Sequence, residues 1–372
     1  MPALQEKMDR LTVPGVLYDR LENGDVRCYA CAHHCLIHAG RRGICKVRFN
    51  QGGTLLVPWG YVAALHTDPV EKKPFAHFLP GSRALTFGML GCNYHCGYCQ
   101  NWLTSQTLRD AAASALPDQY AYEISADEIV AHARQSGAQL VVSSYNEPLI
   151  TSEWAVEVFK KARQAGLQCA YVSNGYGTPQ ALEYLAPHLT GYKIDLKTMQ
   201  DRYYRSLGGV LQKVLDTIQL VHRLGLWLEV VTLVIPGFND SREELMDAGH
   251  FLASISPDIP WHLTAFHPDY QMTDTASTPA ATLQMAAEIG QEAGLHYVYA
   301  GNLPGRVGSL EDTFCPRCQE VLIQRRGFSV QRYRLTAGGA CPQCGTKIAG
   351  VWTDQPESVL TGGSGLLRWA DW

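Results

Sequence analysis

The sequence predicts an α/β protein built on a partial (βα)6 TIM-like parallel barrel, with a cysteine-rich module before it and a zinc-ribbon or rubredoxin-like module after it. Short apolar runs alternate with helical patterns through the middle of the chain, four cysteines precede this region and two close cysteine pairs follow it. Alternating strands and helices build parallel sheets, and close cysteine pairs commonly hold metal. We therefore divide the chain into residues 1–82, 83–305 and 306–372.

Composition narrows the class of protein. The chain has 372 residues, a net charge of −4 and a hydrophobic content of 46%, which is ordinary for a globular protein and gives no general signal for nucleic-acid or membrane binding. The first residues lack the apolar segment of a signal peptide, and no apolar run reaches the roughly 18 residues of a membrane helix. We expect a cytoplasmic protein that does not bind membranes.

The first module carries four cysteines, Cys28, Cys31, Cys35 and Cys45. Short cysteine spacings in a chain without a secretion signal favour metal ligands over disulfides. Zinc and an auxiliary iron–sulfur cluster both accept four sulfurs. Zinc is the preferred assignment here, and the cluster remains the alternative.

The segment before the barrel predicts short strands near residues 55–57 and 61–65, which are apolar runs bounded by glycine and proline. The charged run 68–74 follows. Such runs usually form solvated turns, so a turn is favoured over a site role.

The barrel region contains helix-start signals between its strands. Ser125 and Glu128 have the spacing of a capping box, as do Ser241 and Glu244. A threonine precedes proline at residues 178 and 278, which places a cap residue before the first helical position. The predicted strands are 84–90, 139–145, 168–173, 190–196, 227–234, 261–266 and 296–300.

Three cysteines, Cys92, Cys96 and Cys99, follow the first barrel strand with C-x3-C-x2-C spacing. A structural zinc ion takes four protein ligands, so this loop cannot close a zinc site alone. Three thiolates suit a cubane iron–sulfur cluster that keeps one iron free of protein ligands. The alternative is a zinc site completed by His95 or by a distant residue.

Polar residues end or follow several predicted strands. In parallel barrels the chemistry lies at the carboxyl ends of the strands, so these side chains are expected to face one mouth. Any single one also fits a turn or a helix cap. The candidates are Asn146, Glu147, Asn174, Asp195, Lys197 and His262.

The tail module carries Cys315, Cys318, Cys341 and Cys344 as two C-x2-C pairs. This is the pattern of a zinc ribbon or rubredoxin, and a structural zinc is the favoured assignment. The arginines at 325, 326, 332 and 334 predict a basic patch, a weak hint of contact with RNA or an acidic protein.

The cysteine loop resembles the signature of the radical S-adenosylmethionine (SAM) superfamily. Within it the chain is similar to activases of pyruvate formate-lyase and, more closely, to the radical SAM member of the AmmeMemoRadiSam group. The resemblance implies a [4Fe-4S] cluster whose open iron chelates SAM and whose electron cleaves it to a 5′-deoxyadenosyl radical. The shared segments are residues 68–74, 91–102, 144–148, 234–240, 261–270 and 301–305.

The resemblance also implies residue roles. Cys92, Cys96 and Cys99 would bind the cluster, and Glu147 would meet the SAM ammonium. Lys197 is the candidate for the SAM carboxylate. The activases' Gly-Gly pair is replaced by Tyr145–Asn146, and their Asp-Thr by Val172–Ser173, which weakens the case for a glycyl-radical substrate. The remaining SAM-lining candidates are Asn146, Asn174, Asp195 and His262.

The function that follows is a radical SAM enzyme that modifies a protein or other macromolecule; no catalytic residue is assigned. The alternatives are a radical-based RNA-modifying or small-molecule enzyme, a glycyl-radical-enzyme activase and a non-enzymatic zinc-ribbon protein that binds nucleic acid. The resemblance implies a one-electron donor such as flavodoxin or ferredoxin, and Amme-type and Memo-type proteins as partners.

Overall fold

The computed structural model describes residues 2–111 and 121–362. Its helices are α1 Pro2–Arg10, α2 Trp102–Ser105, α3 Ala126–Gln135, α4 Ser152–Gln164, α5 Pro179–Leu185, α6 Asp201–Leu207, α7 Leu211–Arg223, α8 Arg242–Ile255 and α9 Ala280–Glu292. Its strands are β1 Thr12–Pro14, β2 Tyr18–Arg20, β3 Val26–Cys28, β4 Leu36–Ile37, β5 Phe49–Gln51, β6 Thr54–Pro58, β7 Tyr61–Val62, β8 Ala64–Pro69, β9 Arg83–Gly88, β10 Tyr122–Glu123, β11 Leu140–Ser143, β12 Gln168–Ser173, β13 Gly191–Asp195, β14 Trp227–Val234, β15 Trp261–Ala265, β16 Val298–Gly301, β17 Thr313–Phe314, β18 Val321–Arg326 and β19 Ser329–Tyr333.

The main sheet has eight strands in the order β16-β15-β14-β13-β12-β11-β9-β8. All seven predicted strands form in it as parallel neighbours, with ends that differ from the prediction by at most two residues, and β8 adds an antiparallel edge. Their nearly continuous apolar runs suit strands buried on both faces. The predicted α/β class with a parallel sheet is confirmed, and closure into a barrel stays a prediction.

Helices α3, α4, α7 and α9 pack on the sheet strands. Ser125 and Glu128 form the predicted capping box at the start of α3, and Thr178 caps α5 ahead of Pro179. Two predictions need correction. Ser241 accepts from the Glu244 backbone N–H, but the Glu244 carboxylate turns away to Thr198, so the second box is half formed. Likewise Pro279, and not Thr278, stands at the N-cap position of α9, and no side chain caps this helix.

The main hydrophobic core runs from the first module through the sheet without a break. Large side chains such as Trp261, Tyr171 and Phe87 are fully buried in it. The last three strands have a smaller core of their own, which Tyr297 and Tyr299 join to the main domain. None of the helices within the two described ranges is long and apolar enough to cross a membrane.

Candidate active site

A cavity of about 470 Å³ lies on one face of the main sheet. Side chains two residues apart on a strand share a face, and this alternation builds the cavity wall. Asp195 on β13 pairs with Val231 on β14, which pairs with His262 on β15. His262 therefore lies level with Asp195 although it is near the start of its strand. The wall residues of these strands are Lys193, Asp195, Val231, Leu233, His262 and Thr264.

The three-cysteine loop follows β9 and contributes to the same cavity. Cys96 and Cys99 line it, and Cys99 Sγ lies 3.2 Å from Ser105 Oγ. Cys92 lies at the start of the loop, where its Sγ accepts from the Tyr94 backbone N–H at 3.4 Å. The loop thus presents sulfur to the cavity that also holds the charged residues of β13.

The donor set of this loop fits an iron–sulfur cluster. Burial raises the pKa of Cys96 to about 11 and that of Cys92 still further, so both thiols keep their protons at neutral pH unless a metal displaces them. In the described part of the chain, Cys92, Cys96 and Cys99 do not form a group whose sulfurs all lie within 4.8 Å of one another. Sulfurs that bind different irons of one cluster are held apart in this way.

A lysine–aspartate cluster, formed by Lys193, Asp195 and Lys197, occupies the wall near the loop. Both lysine ammonium groups donate to the Asp195 carboxylate, Lys197 at 3.2 Å. Burial alone would raise the pKa of Asp195, but the two lysines lower it to about 2. The group therefore carries one net positive charge beside Cys96, which suits an anionic ligand.

Asn146, Glu147 and Asn174 lie in a buried hydrogen-bond layer behind the loop and are absent from the cavity lining. Glu147 accepts from Ser173 Oγ (2.7 Å) and from the backbone N–H groups of Leu149 (3.0 Å) and Asn174 (2.7 Å). Burial still raises its pKa to about 7. This layer joins the ends of β11 and β12.

The layer is also tied to β9 and to the cysteine loop. Asn146 Oδ1 accepts from the Met89 backbone N–H at 3.1 Å, and Asn174 Nδ2 donates to Asn93 Oδ1 at 2.7 Å. The two asparagines thus link the second and third parallel strands to the segment that carries the cysteines. Their visible role is to hold the loop in place.

Tyr145 has a backbone conformation that few non-glycine residues adopt. Its φ is +70°, a left-handed conformation that favours glycine. The ring packs against Gly88, where a Cβ would lie 3.0 Å from the ring atom Cδ2 of Tyr145. Lys73 holds the ring from the other side, with Nζ 3.1 Å from the phenolic oxygen. The backbone shape expected of glycine is therefore kept by tertiary contacts.

The charged run 68–74 is not the solvated turn that its composition predicts. Asp68, Glu71 and Lys73 are buried, and Lys73 Nζ donates to Asp68 Oδ2 at 2.9 Å. Glu71 and Lys73 line the cavity. Burial lowers the pKa of Lys73 to about 8 although Asp68 opposes the shift. The run forms a side wall of the site, because the β8–β9 hairpin folds it across the sheet.

His262 is fixed by a buried carboxylate that the sequence did not single out. Its Nε2 lies 2.6 Å from Glu229 Oε2, and an ionised carboxylate only accepts, so this nitrogen carries the proton. Burial would raise the pKa of Glu229, but His262 lowers it. The imidazole stacks on Tyr299, with ring centroids 5.2 Å apart.

The tail module holds a four-cysteine metal site. All four sulfurs lie within 4.8 Å of one another, with Cys315 to Cys344 at 3.6 Å and Cys318 to Cys341 at 3.7 Å. A single ion bound by sulfurs at about 2.3 Å gives tetrahedral edges near 3.8 Å. The prediction of a metal site at these residues fits this geometry.

The predicted basic patch is wrong at Arg325. This guanidinium is buried, donates to the Ala76 carbonyl at 2.7 Å and lies 4.0 Å from Glu71. Arg334 forms an ion pair with Glu320. Arg325 faces the cavity, so it joins the module to the site instead of extending a basic surface.

Several site residues are not among the candidates from the sequence. They differ in how clearly the sequence indicates that they belong to the site. Lys193 stands two residues before Asp195 in a strand, so shared-face alternation alone was enough to find it. Lys73 belongs to the charged run 68–74, whose composition predicts a solvated turn. Glu229, Tyr299 and Arg325 meet only through tertiary packing and give no local signal.

This arrangement defines an α/β enzyme whose three-cysteine loop opens on a charged cavity at one face of a parallel sheet. The comparisons agree. Residues 87–249 match the model of the radical SAM superfamily. An uncharacterized protein of Methanocaldococcus jannaschii is 36% identical over 337 residues, covering 90% of this chain and 98% of the relative. The chain belongs to the radical SAM superfamily and is an enzyme.

Two further matches are more distant. The pyruvate formate-lyase-activating enzyme of Clostridium pasteurianum is 23% identical over 47% of this chain and 71% of its own length. Among solved structures, a radical SAM methyltransferase from Sphaerobacter thermophilus has a TM-score of 0.46 and 16% identity, covering 66% of this chain and 71% of that one.

Proposed function

We propose that this enzyme binds a [4Fe-4S] cluster through Cys92, Cys96 and Cys99 and binds SAM in the adjoining cavity. The observation that carries the proposal is that a loop with only three cysteines opens on the cavity that holds Asp195 and Lys197. When bound, the cluster supplies one electron to cleave SAM and yield a 5′-deoxyadenosyl radical. A fourth protein ligand would block the coordination position that SAM needs.

The chain's own residues bind and orient SAM. The positive charge of Lys197 suits the SAM carboxylate, while Asp195 and His262 suit the ribose hydroxyls. Glu147 is assigned to the SAM ammonium. Its three donors leave acceptor capacity on the carboxylate, since each oxygen accepts two hydrogen bonds. Asn146 and Asn174 contribute indirectly, by holding the cysteine loop from the layer behind it.

The tail module supplies part of the cavity wall. Its residues Glu311, Arg325 and Phe328 line the cavity together with the sheet residues. A reactive radical survives only where competing solvent reactions are suppressed, and this wall supports that requirement. We assign zinc to the four cysteines of the module, because their tetrahedral spacing suits a single closed structural ion.

We further propose a protein or other macromolecule as substrate. Two relatives are named as activating enzymes of pyruvate formate-lyase and of isethionate sulfite-lyase. These names support a protein as the substrate. Because of the same names, activation of a glycyl-radical enzyme is the second candidate function. A flavodoxin or ferredoxin is the proposed electron donor, and Amme-type and Memo-type proteins are the proposed partners.

Release of 5′-deoxyadenosine tests the proposal. The anaerobically reconstituted chain is mixed with SAM and dithionite, and the nucleoside is quantified. Wild type and Cys169→Ala should release it, since Cys169 is a buried strand thiol of β12 remote from the loop. Cys92→Ala should release none. Release by Cys92→Ala at the wild-type rate, or none from iron-loaded wild type, would refute the assignment.

A further inference from the structure

Four thiols of the first module surround one small cavity. Cys28, Cys31, Cys35 and Cys45 line it together with Arg48 and apolar neighbours. The four lie at different places between residues 28 and 45, yet all line the same space. Four converging thiols of this kind indicate a common bound group.

The spacing of these sulfurs differs from that in the tail module. Across residues 2–111 and 121–362, only the tail cysteines bring three or more ligand atoms within 4.8 Å of one another. A single zinc ion needs sulfur separations of about 3.8 Å, and the tail module has them. The first module's sulfurs face one cavity but stand farther apart.

The loop of Cys92, Cys96 and Cys99 gives a standard for the sulfur separations expected of a cluster site within the same chain. Cys92, Cys96 and Cys99 also fail to gather within 4.8 Å, and the family of this chain uses such a loop for iron and sulfide. Thiolates of a cluster bind different irons, so a cluster holds them farther apart than one ion does. By this comparison the first module matches the cluster loop and not the tail module.

We propose that Cys28, Cys31, Cys35 and Cys45 hold a second [4Fe-4S] cluster, in place of the zinc that their spacing in sequence first favoured. Four cysteines ligate all four irons, so this cluster has no open position and does not bind SAM. The inference rests on the proposed function in one respect, because the loop of Cys92, Cys96 and Cys99 supplies its standard for cluster spacing, although the ligands it concerns lie outside that loop.

The surroundings of the site suit an anionic, buried cluster. Arg48 is 1% exposed and points Nη1 at Cys28 Sγ, 3.8 Å away. Its other terminal nitrogen is bound by Glu153, which fixes the guanidinium. Donors to cluster sulfurs and exclusion of solvent are the means by which a protein adjusts a cluster's reduction potential.

The site adjoins the catalytic loop. A Cβ at Gly91 would lie 2.9 Å from the Cys45 carbonyl oxygen, and Cys92 is the next residue. His33 Nε2 also lies 3.1 Å from the Asn93 carbonyl oxygen. Substitutions at one site are therefore expected to disturb the other, so the decisive measurement uses the unaltered chain.

Metal and sulfide counts on anaerobically purified full-length chain test the proposal. Two clusters and one tail zinc give about eight irons, eight sulfides and one zinc per chain. About four irons with two zincs would overturn the proposal, because the first module would then hold zinc. The zinc count makes this outcome distinct from failure of the catalytic loop to load.

Four irons with one zinc would leave the position of the cluster to be decided. Cys31→Ser then separates the cases by Mössbauer spectroscopy and iron content, with zinc retention as the check on folding. Loss of those irons supports the proposal, and their retention overturns it. With eight irons, addition of SAM should change chiefly the Mössbauer signal of about one iron in eight, which is the open iron of the Cys92/Cys96/Cys99 cluster. A change in more than half of the irons would mean that SAM also acts on the first-module cluster, and it would overturn the closed site.

Discussion

At the scale of single residues, the lysine–aspartate cluster is the best-defined part of the SAM site. One carboxylate holds two ammonium groups, and the low pKa of Asp195, about 2, means that it stays ionised at neutral pH. Burial alone would lower the pKa of Lys197, yet Asp195 keeps it well above its ordinary value. The cluster is therefore a fixed positive site beside the cysteines.

Substitution of Asp195 tests this role. Asp195→Asn removes the charge that positions Lys193 and Lys197, so we expect SAM affinity to fall about tenfold, roughly 1.4 kcal/mol. The measurement is equilibrium dialysis with the iron-loaded protein. Asp201→Asn, which alters an exposed ion pair with Arg205, is the matched control. Equal affinities for both variants would contradict the assignment.

Glu153 is a second residue whose charge forms a buried ion pair. It pairs with Arg48 and accepts from the backbone N–H groups of Val16 and Leu17 at 3.2 and 3.4 Å. Glu153→Ala leaves the Arg48 charge unpaired, and loss of one partner of a buried pair costs about 3–5 kcal/mol. We expect urea unfolding of the holoprotein to show a loss of that size.

The matched control is Glu292→Ala. Glu292 pairs with Arg242 at the surface, where both side chains are more than half exposed. Exposed pairs contribute at most about 1 kcal/mol. A loss at Glu153 no larger than that at Glu292 would mean that the buried pair is not needed to hold the first module on α4.

At the scale of elements, His77 is one of the contacts that join the tail module to the main domain. A backbone carbonyl only accepts, so His77 Nδ1 donates to Ala349 at 2.7 Å and Nε2 accepts from the Tyr299 hydroxyl at 2.6 Å. The neutral ring satisfies both contacts. Burial lowers its pKa to about 4, although Glu229 opposes the shift.

This contact predicts a pH dependence. The unfolded chain protonates His77 near pH 6.5 and the folded chain only near pH 4, so the folded state loses stability as pH falls between those values. We expect a loss of about 1 kcal/mol between pH 7 and 5.5 from this group. The other groups that face the ring, Glu229, His262 and Arg325, remain in place in a His77→Gln variant.

The variant isolates the contribution of His77. Urea unfolding of wild type and His77→Gln, each followed by tryptophan fluorescence at pH 7 and 5.5, gives the difference in their free energies of unfolding. Between pH 7 and pH 5.5 the wild type should lose about 1 kcal/mol more free energy of unfolding than His77→Gln does. Parallel behaviour of the two proteins would rule out His77 as the titrating group.

At the scale of the whole molecule, local patterns predicted the parallel strands, the cysteine groups and the capping box at Ser125. Each of these depends on residues close in sequence. The same patterns placed Lys197 and His262 at one mouth, and the register of β13 to β15 brings His262 level with Asp195. Strand periodicity is therefore reliable here.

The predictions for Glu244 and Arg325 are wrong because each side chain binds partners that are distant in sequence. Glu244 leaves its capping box because Thr198 and Gln200 offer buried donors. Arg325 turns inward because Ala76 offers a carbonyl and Glu71 a charge. Neither choice is visible in a local window, since the partners lie tens or hundreds of residues away.

The central claim is that a cluster on Cys92, Cys96 and Cys99 has an iron open to the cavity and that SAM binds there. Electron paramagnetic resonance of the dithionite-reduced protein tests it most directly. Addition of SAM should shift the signal of one reduced cluster in wild type, and that SAM-responsive signal should be missing in Cys92→Ala. A spectrum unchanged by saturating SAM would contradict the account.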